Sequence, residues 1–284
     1  MRITPWTTLA AALVLTNAAC TVDRANAENG SQVESRAAAP NVVTVTATDF
    51  AFAAPATIPA GLTTVRLVSQ GREMHHAQLV KLEEGHTVED LTKADPHGPI
   101  PSWARFVGGP NAPGPNGAEA TMDLQPGTYA LVCLIPSADG VPHLMKGMIK
   151  GITVVAPEQP SQARAEVADV RMTLRDYAFE FTPEIAAGHH VISVENEAAQ
   201  PHEVVFLKLA PGKTPQDLLA WMEKMDGPPP AMPMGGTALL STGEENQVAI
   251  DFTPGEYVLL CMVPDARDGA PHVAHGMVRQ ITVR

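Results

Sequence analysis

Cys133 is followed by His143 and Met148, and Cys261 by His272 and Met277. The stretch from His to Met has the same spacing in both places, "HLMKGM" and "HVAHGM". Upstream, His75 opens "HHAQLVKL" and His202 opens "HEVVFLKL". Each half of the chain thus offers one thiol, two imidazoles and one thioether. A His2Cys set with a weak axial Met suits a one-electron copper centre. Thiolate favours Cu(I), imidazole serves both oxidation states, and the Met tunes the potential. The competing reading is a buried, inert thiol in each half. With one cysteine per half and Cys20 near the N-terminus, no disulfide can form within a half.

These residues recur because the chain repeats itself. "DFAFAAPATIPAG" (49–61) returns as "DYAFEFTPEIAAG" (176–188), and "DLQPGTYALVCLIP" from Asp123 returns as "DFTPGEYVLLCMVP" from Asp251. "DGVPHLMKGM" returns as "DGAPHVAHGM". Blocks repeated in the same order over this span mark two tandem units. One domain is expected over 42–155, a linker over 156–169 and a second domain over 170–284. Stretches such as "VVTVTATDF" and "HVISVEN" alternate β-formers with polar residues, and "TYALVCLI" and "EYVLLCMV" follow Pro-Gly turns. Short strands with such punctuation predict an all-β fold built from β-sandwiches. Helical spacing interrupts each unit once, strongly in "TPQDLLAWMEKM" (214–225) and weakly in "TVEDLTKAD" (87–95). Met222 and Met225 are expected to pack in the core. His76 should point away from the His75 side of its strand. His86, His97, His189 and His190 stand without evident partners, and His275 is expected at the surface.

"NEAAQPHEVVFLKL" (196–209), then "YVLLC", "PH" and "HGM", resemble the ligand segments of the cupredoxins, and the resemblance spans both units. It implies a Greek-key β-sandwich in each domain and one copper per domain. The ligands would be His75, Cys133, His143 and Met148, and His202, Cys261, His272 and Met277. It also implies an electron-carrier role, with the exposed edge of His143 or His272 as the port and redox proteins such as a cytochrome as partners. The loops depart from the small plastocyanin-like carriers: nine residues separate Cys133 from His143, and ten separate Cys261 from His272. The type 1 loop of two-domain copper nitrite reductases is similarly long. An oxidase or reductase of that kind needs a second copper class, with a His beside the Cys. Val132 and Leu260 stand there, and the chain has no His-x-His pair, so an enzyme is not expected. A copper buffer or chaperone could use the same ligands, and a copper-free binding module is the other alternative.

The 284-residue chain carries a formal net charge of -12, which excludes nucleic acid as an expected partner. Arg2, the apolar run Leu9–Thr16 and the small residues after it read as an export signal. Residues 1–27 hold this signal and the start of a flexible tether that continues over 28–41. "LTNAAC" offers lipid-type processing at Cys20, although Asn17 stands where such a signal usually has Leu; "ANA" (25–27) offers ordinary cleavage. The expectation is an exported, periplasmic or extracytoplasmic lipoprotein, held to the membrane through its anchor only. Lys146 in one loop and His275 in the other should make the potentials of the two sites differ.

Overall fold

The computed structural model describes residues 38–94, 100–114, 117–158 and 162–284. Cys20, the export signal, most of the tether and His97 lie outside them. The described residues fall in one compact unit, Ala37–Arg284.

The first repeat supplies β1 (Asn41–Thr48), β2 (Ala51–Ala53), β3 (Thr57–Pro59), β4 (Gly61–Ser69), β5 (Gln78–Leu82), α1 (Val88–Lys93), β6 (Ala104–Phe106), β7 (Ala118–Leu124), β8 (Gly127–Val132) and β9 (Ile149–Val155). The second supplies β10 (Val170–Arg175), β11 (Ala178–Thr182), β12 (Gly188–Asn196), β13 (His202–Leu209), α2 (Pro215–Lys224), β14 (Ala231–Leu240), β15 (Glu245–Phe252), β16 (Gly255–Leu260) and β17 (Val278–Val283). The protein is all-β, as expected.

Alternation decides which face of each strand turns inward. Val43, Val45 and Ala47 of β1 are buried, while Thr44 and Thr48 are exposed. β15 does the same with Asn246, Val248, Ile250 and Phe252. β8 and β16 instead run through the core, with four consecutive buried residues each. β8 lies between β5 and β9, and β16 between β13 and β17. Tyr129 and Tyr257 enter the core at the start of these strands, and their hydroxyls donate to the carbonyls of Gln125 and Thr253 at 2.8 and 2.9 Å. The partnered hydroxyl lets a large aromatic ring be buried without stranding a polar group.

One sheet crosses both repeats, in the order β11-β10-β12-β15-β7-β4-β1-β2. A five-stranded sheet, β3-β9-β8-β5-β6, faces it in the first repeat, and a four-stranded one, β14-β13-β16-β17, in the second. The larger apolar core draws on both repeats, from Val43 to Val283. The outer face of β13 and β16 is covered by α2, through Leu218 with Trp221 and Met222 beside it. Met225, expected in the core, is 49% exposed because it ends α2 in the left-handed conformation and turns outward.

The repeats also join through backbone. The amide of Asn111 donates to the Gly236 carbonyl at 3.1 Å, and that of Ala238 to the Gly109 carbonyl at 2.8 Å. Positions 109 and 236 are repeat equivalents, as are 111 and 238, so the pairing is unchanged when the repeats are exchanged, as at a two-fold interface. Glycine is needed at both crossings. A Cβ on Gly109 would lie 2.0 Å from the Ala77 carbonyl oxygen, and one on Gly236 would lie 2.0 Å from that of Val204.

Candidate metal centres

Each cysteine sits just past a core strand, Cys133 after β8 and Cys261 after β16, and both are free and fully buried. The chain then makes a long loop and returns. The first loop is pinched by a bridge between Pro136 and Pro142, the second by one between Pro264 and Pro271. The amides of His143 and His272 donate to the carbonyls of Ile135 and Val263 at 3.0 and 2.9 Å. The long spacing is therefore folded back on itself, and the second His returns beside its Cys. A short 3-10 turn begins at each His and ends on Gly147 or Gly276, at φ 98° and 96°. That left-handed step suits glycine and brings on the Met. Cys133 then donates its amide to the Met148 carbonyl at 3.3 Å, and Cys261 to that of Met277 at 3.2 Å. Both methionines are fully buried.

The first His comes at or just before the start of the strand next to the Cys strand in the same sheet. His202 opens β13, whereas His75 lies in the loop before β5. Nitrogen and sulfur donors of His75, Cys133 and His143 lie within 4.8 Å of one another, as do those of His202, Cys261 and His272. His75 Nδ1 is 3.1 Å from His143 Nδ1, and Cys133 Sγ is 3.4 Å from His143 Nδ1. Cys261 Sγ is 3.8 Å from His202 Nδ1 and 3.4 Å from His272 Nδ1. Donors held about 2.0–2.3 Å from one shared ion lie about 3.5–4 Å apart in a trigonal set. The clusters fit such an ion with little movement.

The other ring nitrogen of each His faces a carboxylate. His75 Nε2 lies 3.2 Å from Asp49 Oδ1, His143 Nε2 2.9 Å from Glu73 Oε2, and His202 Nε2 3.0 Å from Asp176 Oδ1. His272 Nε2 lies 3.8 Å from Asp265 Oδ2, too long for a hydrogen bond, and has no hydrogen-bond partner among the described residues. A carboxylate at Nε2 keeps the proton there and leaves the Nδ1 lone pair for a metal. Burial depresses the basicity of His75 and His202, and lowers His272 to about 4. Burial also pushes the Cys133 thiol up to about 11, and Cys261 higher still. Burial thus favours neutral imidazoles at His75, His202 and His272, and in each pocket a thiol that ionises only when a cation offsets the cost.

Neither second His presents an exposed edge, contrary to expectation: His143 and His272 are fully buried. Phe50 stands edge-on to His143 at 5.2 Å, and Tyr177 edge-on to His272 at 5.6 Å. The two aromatics are repeat equivalents in "DFAF" and "DYAF", and their rings are partly exposed. The Tyr177 hydroxyl donates to Asp265. Lys146 Nζ is paired with Asp139 at 2.8 Å, and His275 with Asp268 at 3.2 Å. Each of the two groups thus faces one carboxylate of its own loop.

Other histidines expected to stand alone have partners. His86 stacks on Trp103 at 4.4 Å, His189 pairs with Asp251 at 2.7 Å, and His190 pairs with Asp169. His76 is buried, and its Nε2 accepts the Leu134 amide at 2.8 Å. Glu203, at the equivalent place, accepts the Met262 amide at 3.0 Å. Sequence reasoning missed Glu203, the four carboxylates and the two aromatics. Asp49 with Phe50, and Asp176 with Tyr177, did carry a signal, being kept in both repeats.

No protein-family model matches the chain, and no curated protein matches it in sequence. Among solved structures it is similar to auracyanin from Roseiflexus castenholzii, at 23% identity over 40% of this chain and 94% of that one, with a TM-score of 0.31. It is similar to a blue copper oxidase from Nitrosomonas europaea at 14% identity over 86% of each chain, with a TM-score of 0.24. A copper-containing nitrite reductase from Thermus scotoductus matches at 12% identity over 86% of this chain and 61% of that one, with a TM-score of 0.23. Scores this low establish no relationship, and the two clusters stand on their own geometry.

Proposed function

We propose that the protein is a copper electron carrier with one His2Cys centre in each of two tandem cupredoxin-like domains, 42–155 and 170–284. The observation that carries the reading is the convergence, twice, of one buried Sγ and two Nδ1 donors, with every Nε2 turned toward a carboxylate. His75, Cys133, His143 and Met148 would hold one ion, and His202, Cys261, His272 and Met277 the other. Copper supplies a one-electron couple in such a donor set. The protein's part is to keep the donors fixed and dry, so that little rearranges when the charge changes. Val132 and Leu260 precede the cysteines, which supports a carrier rather than an enzyme with a second copper class.

The partly exposed rings of Phe50 and Tyr177 replace the imidazole edges as the electron ports. Asp49 and Asp176 flank them, which suits a redox partner with a basic surface, such as a cytochrome. The export signal and Cys20 support a periplasmic or extracytoplasmic lipoprotein. No helix among the described residues is long and apolar enough to cross a membrane. Cys20→Ala should release the chain from membranes, and unchanged membrane association would count against the anchor.

Protein-film voltammetry of the copper-loaded chain tests the carrier role. Fast, reversible one-electron waves with copper retained are expected. Sluggish waves, with copper passing readily to a chelator, would favour a copper buffer.

A further inference from the structure

His76 and Glu203 occupy equivalent positions, one residue past the first His of each cluster, and each holds the amide one residue past its Cys. Between them lies an unbroken line of contacts. From the first cluster it runs Cys133 to Leu134, whose amide donates to His76 Nε2 at 2.8 Å. His76 continues into Ala77, whose amide donates to the Pro110 carbonyl at 3.0 Å. Pro110 continues into Asn111, whose Nδ2 donates to Glu203 Oε2 at 2.9 Å. Glu203 Oε1 accepts the Met262 amide at 3.0 Å, and Met262 is bonded to Cys261. His76, Ala77, Pro110, Asn111 and Glu203 are all buried.

We infer that this line, from Cys133 through His76, Pro110, Asn111 and Glu203 to Cys261, conducts electrons between the two centres. The inference rests on reading both clusters as one-electron sites. The thiolate is the donor with most covalency toward copper, and the line starts and ends on the two thiolates. Covalent and hydrogen bonds carry electronic coupling far better than gaps of van der Waals width. One electron leaves one centre and enters the other, and no proton or atom moves. The initial reduction comes from an external one-electron donor. An electron accepted at either port could then leave by the other.

Three side chains on the line belong to neither cluster, His76, Asn111 and Glu203, and of these Asn111 comes from the first repeat and reaches into the second. The test uses the full chain loaded with copper, in a Met148→Gln background, where the changed axial ligand separates the two sites in potential and absorption. A sub-stoichiometric pulse of a radiolytic one-electron reductant is applied, and redistribution is followed by transient absorption. The rate should be independent of protein concentration and should fall several-fold in Asn111→Ala, and also in the milder Asn111→Ser, with both thiolate bands kept. In the metal-free chain, hydrogen-exchange NMR should show slow exchange at the amides of Ala77, Leu134 and Met262. Redistribution that scales with protein concentration, unchanged rates in both Asn111 variants, or fast exchange at these amides would overturn the conduit while leaving both centres in place. If the chain takes up copper without any thiolate band, the carrier reading itself fails and the conduit falls with it.

Discussion

At the scale of single residues, the clusters are organised around proton placement. The thiols are driven up by burial and carry their protons near neutral pH, while burial keeps His75, His202 and His272 from taking one up. Adding Cu(I) to the metal-free protein in weak buffer near pH 7 should therefore release about one proton per ion bound, from the thiol. A pH-stat titration reads this directly, and no release would mean that the cysteines are not the ligands. A second consequence concerns acid. His272 titrates at about 4 in the folded chain against an ordinary value of 6.5. As pH falls, the unfolded chain takes up this proton first. The stability contribution is complete above about 6.5 and drains away as pH falls through about 4, so the metal-free chain should lose denaturant resistance across that window. His272→Phe should flatten part of the loss, and an unchanged profile would show that His272 is not held neutral.

The clustering of His75, Cys133 and His143, and of His202, Cys261 and His272, was readable from sequence because the repeat displays each set twice. Their carboxylate partners were only half readable. Asp49 and Asp176 recur at equivalent positions, whereas Glu73 and Asp265 come from different places in the two repeats, one before the first His and one within the long loop. No local pattern marks Glu203 or Asn111, because their value lies in contacts made across the repeats.

At the scale of elements, the long loops work because they are pinched and capped. Gly147 and Gly276 hold a left-handed conformation that costs other residues about 1 kcal/mol or more. Gly276→Ala should lower the melting temperature and disturb the second centre's thiolate band while sparing the first. An unperturbed band would mean that this turn does not set the position of Met277. The helix is a different case. Thr214 caps α2, its hydroxyl oxygen accepting the Asp217 amide while the Asp217 carboxylate accepts the Thr214 amide at 2.8 Å. Thr214→Ala should cost about 1 kcal/mol and leave both bands unchanged, since α2 covers the outer face of the sheet away from the ligands. Caps and amphipathic spacing made this helix visible in the sequence. The outward turn of Met225 was not, because the helical period continues through the residue that ends the helix.

At the scale of the whole molecule, the repeats are not beads on a string. They share one eight-stranded sheet and the larger core, and Asn246 of the second repeat receives the Gly109 amide at 2.9 Å and donates to the Val107 carbonyl at 3.0 Å. The metal-free chain should unfold in one calorimetric transition; two well-separated transitions would show that the repeats unfold independently. The repeat itself was plain in the sequence. The continuous sheet was not, because the β7–β15 pairing and the Gly109 and Gly236 crossings leave no periodic signature.

Each cluster is proposed to be a thiolate-bound copper site. Its most direct test is the visible absorption of the copper-loaded full chain, measured with its copper content and compared with Cys133→Ser and Cys261→Ser. Two coppers per chain are expected, with an intense thiolate-to-copper band that each single variant reduces and the double variant abolishes. A chain that takes up copper without such a band, or that keeps the band when both cysteines are replaced, would contradict it.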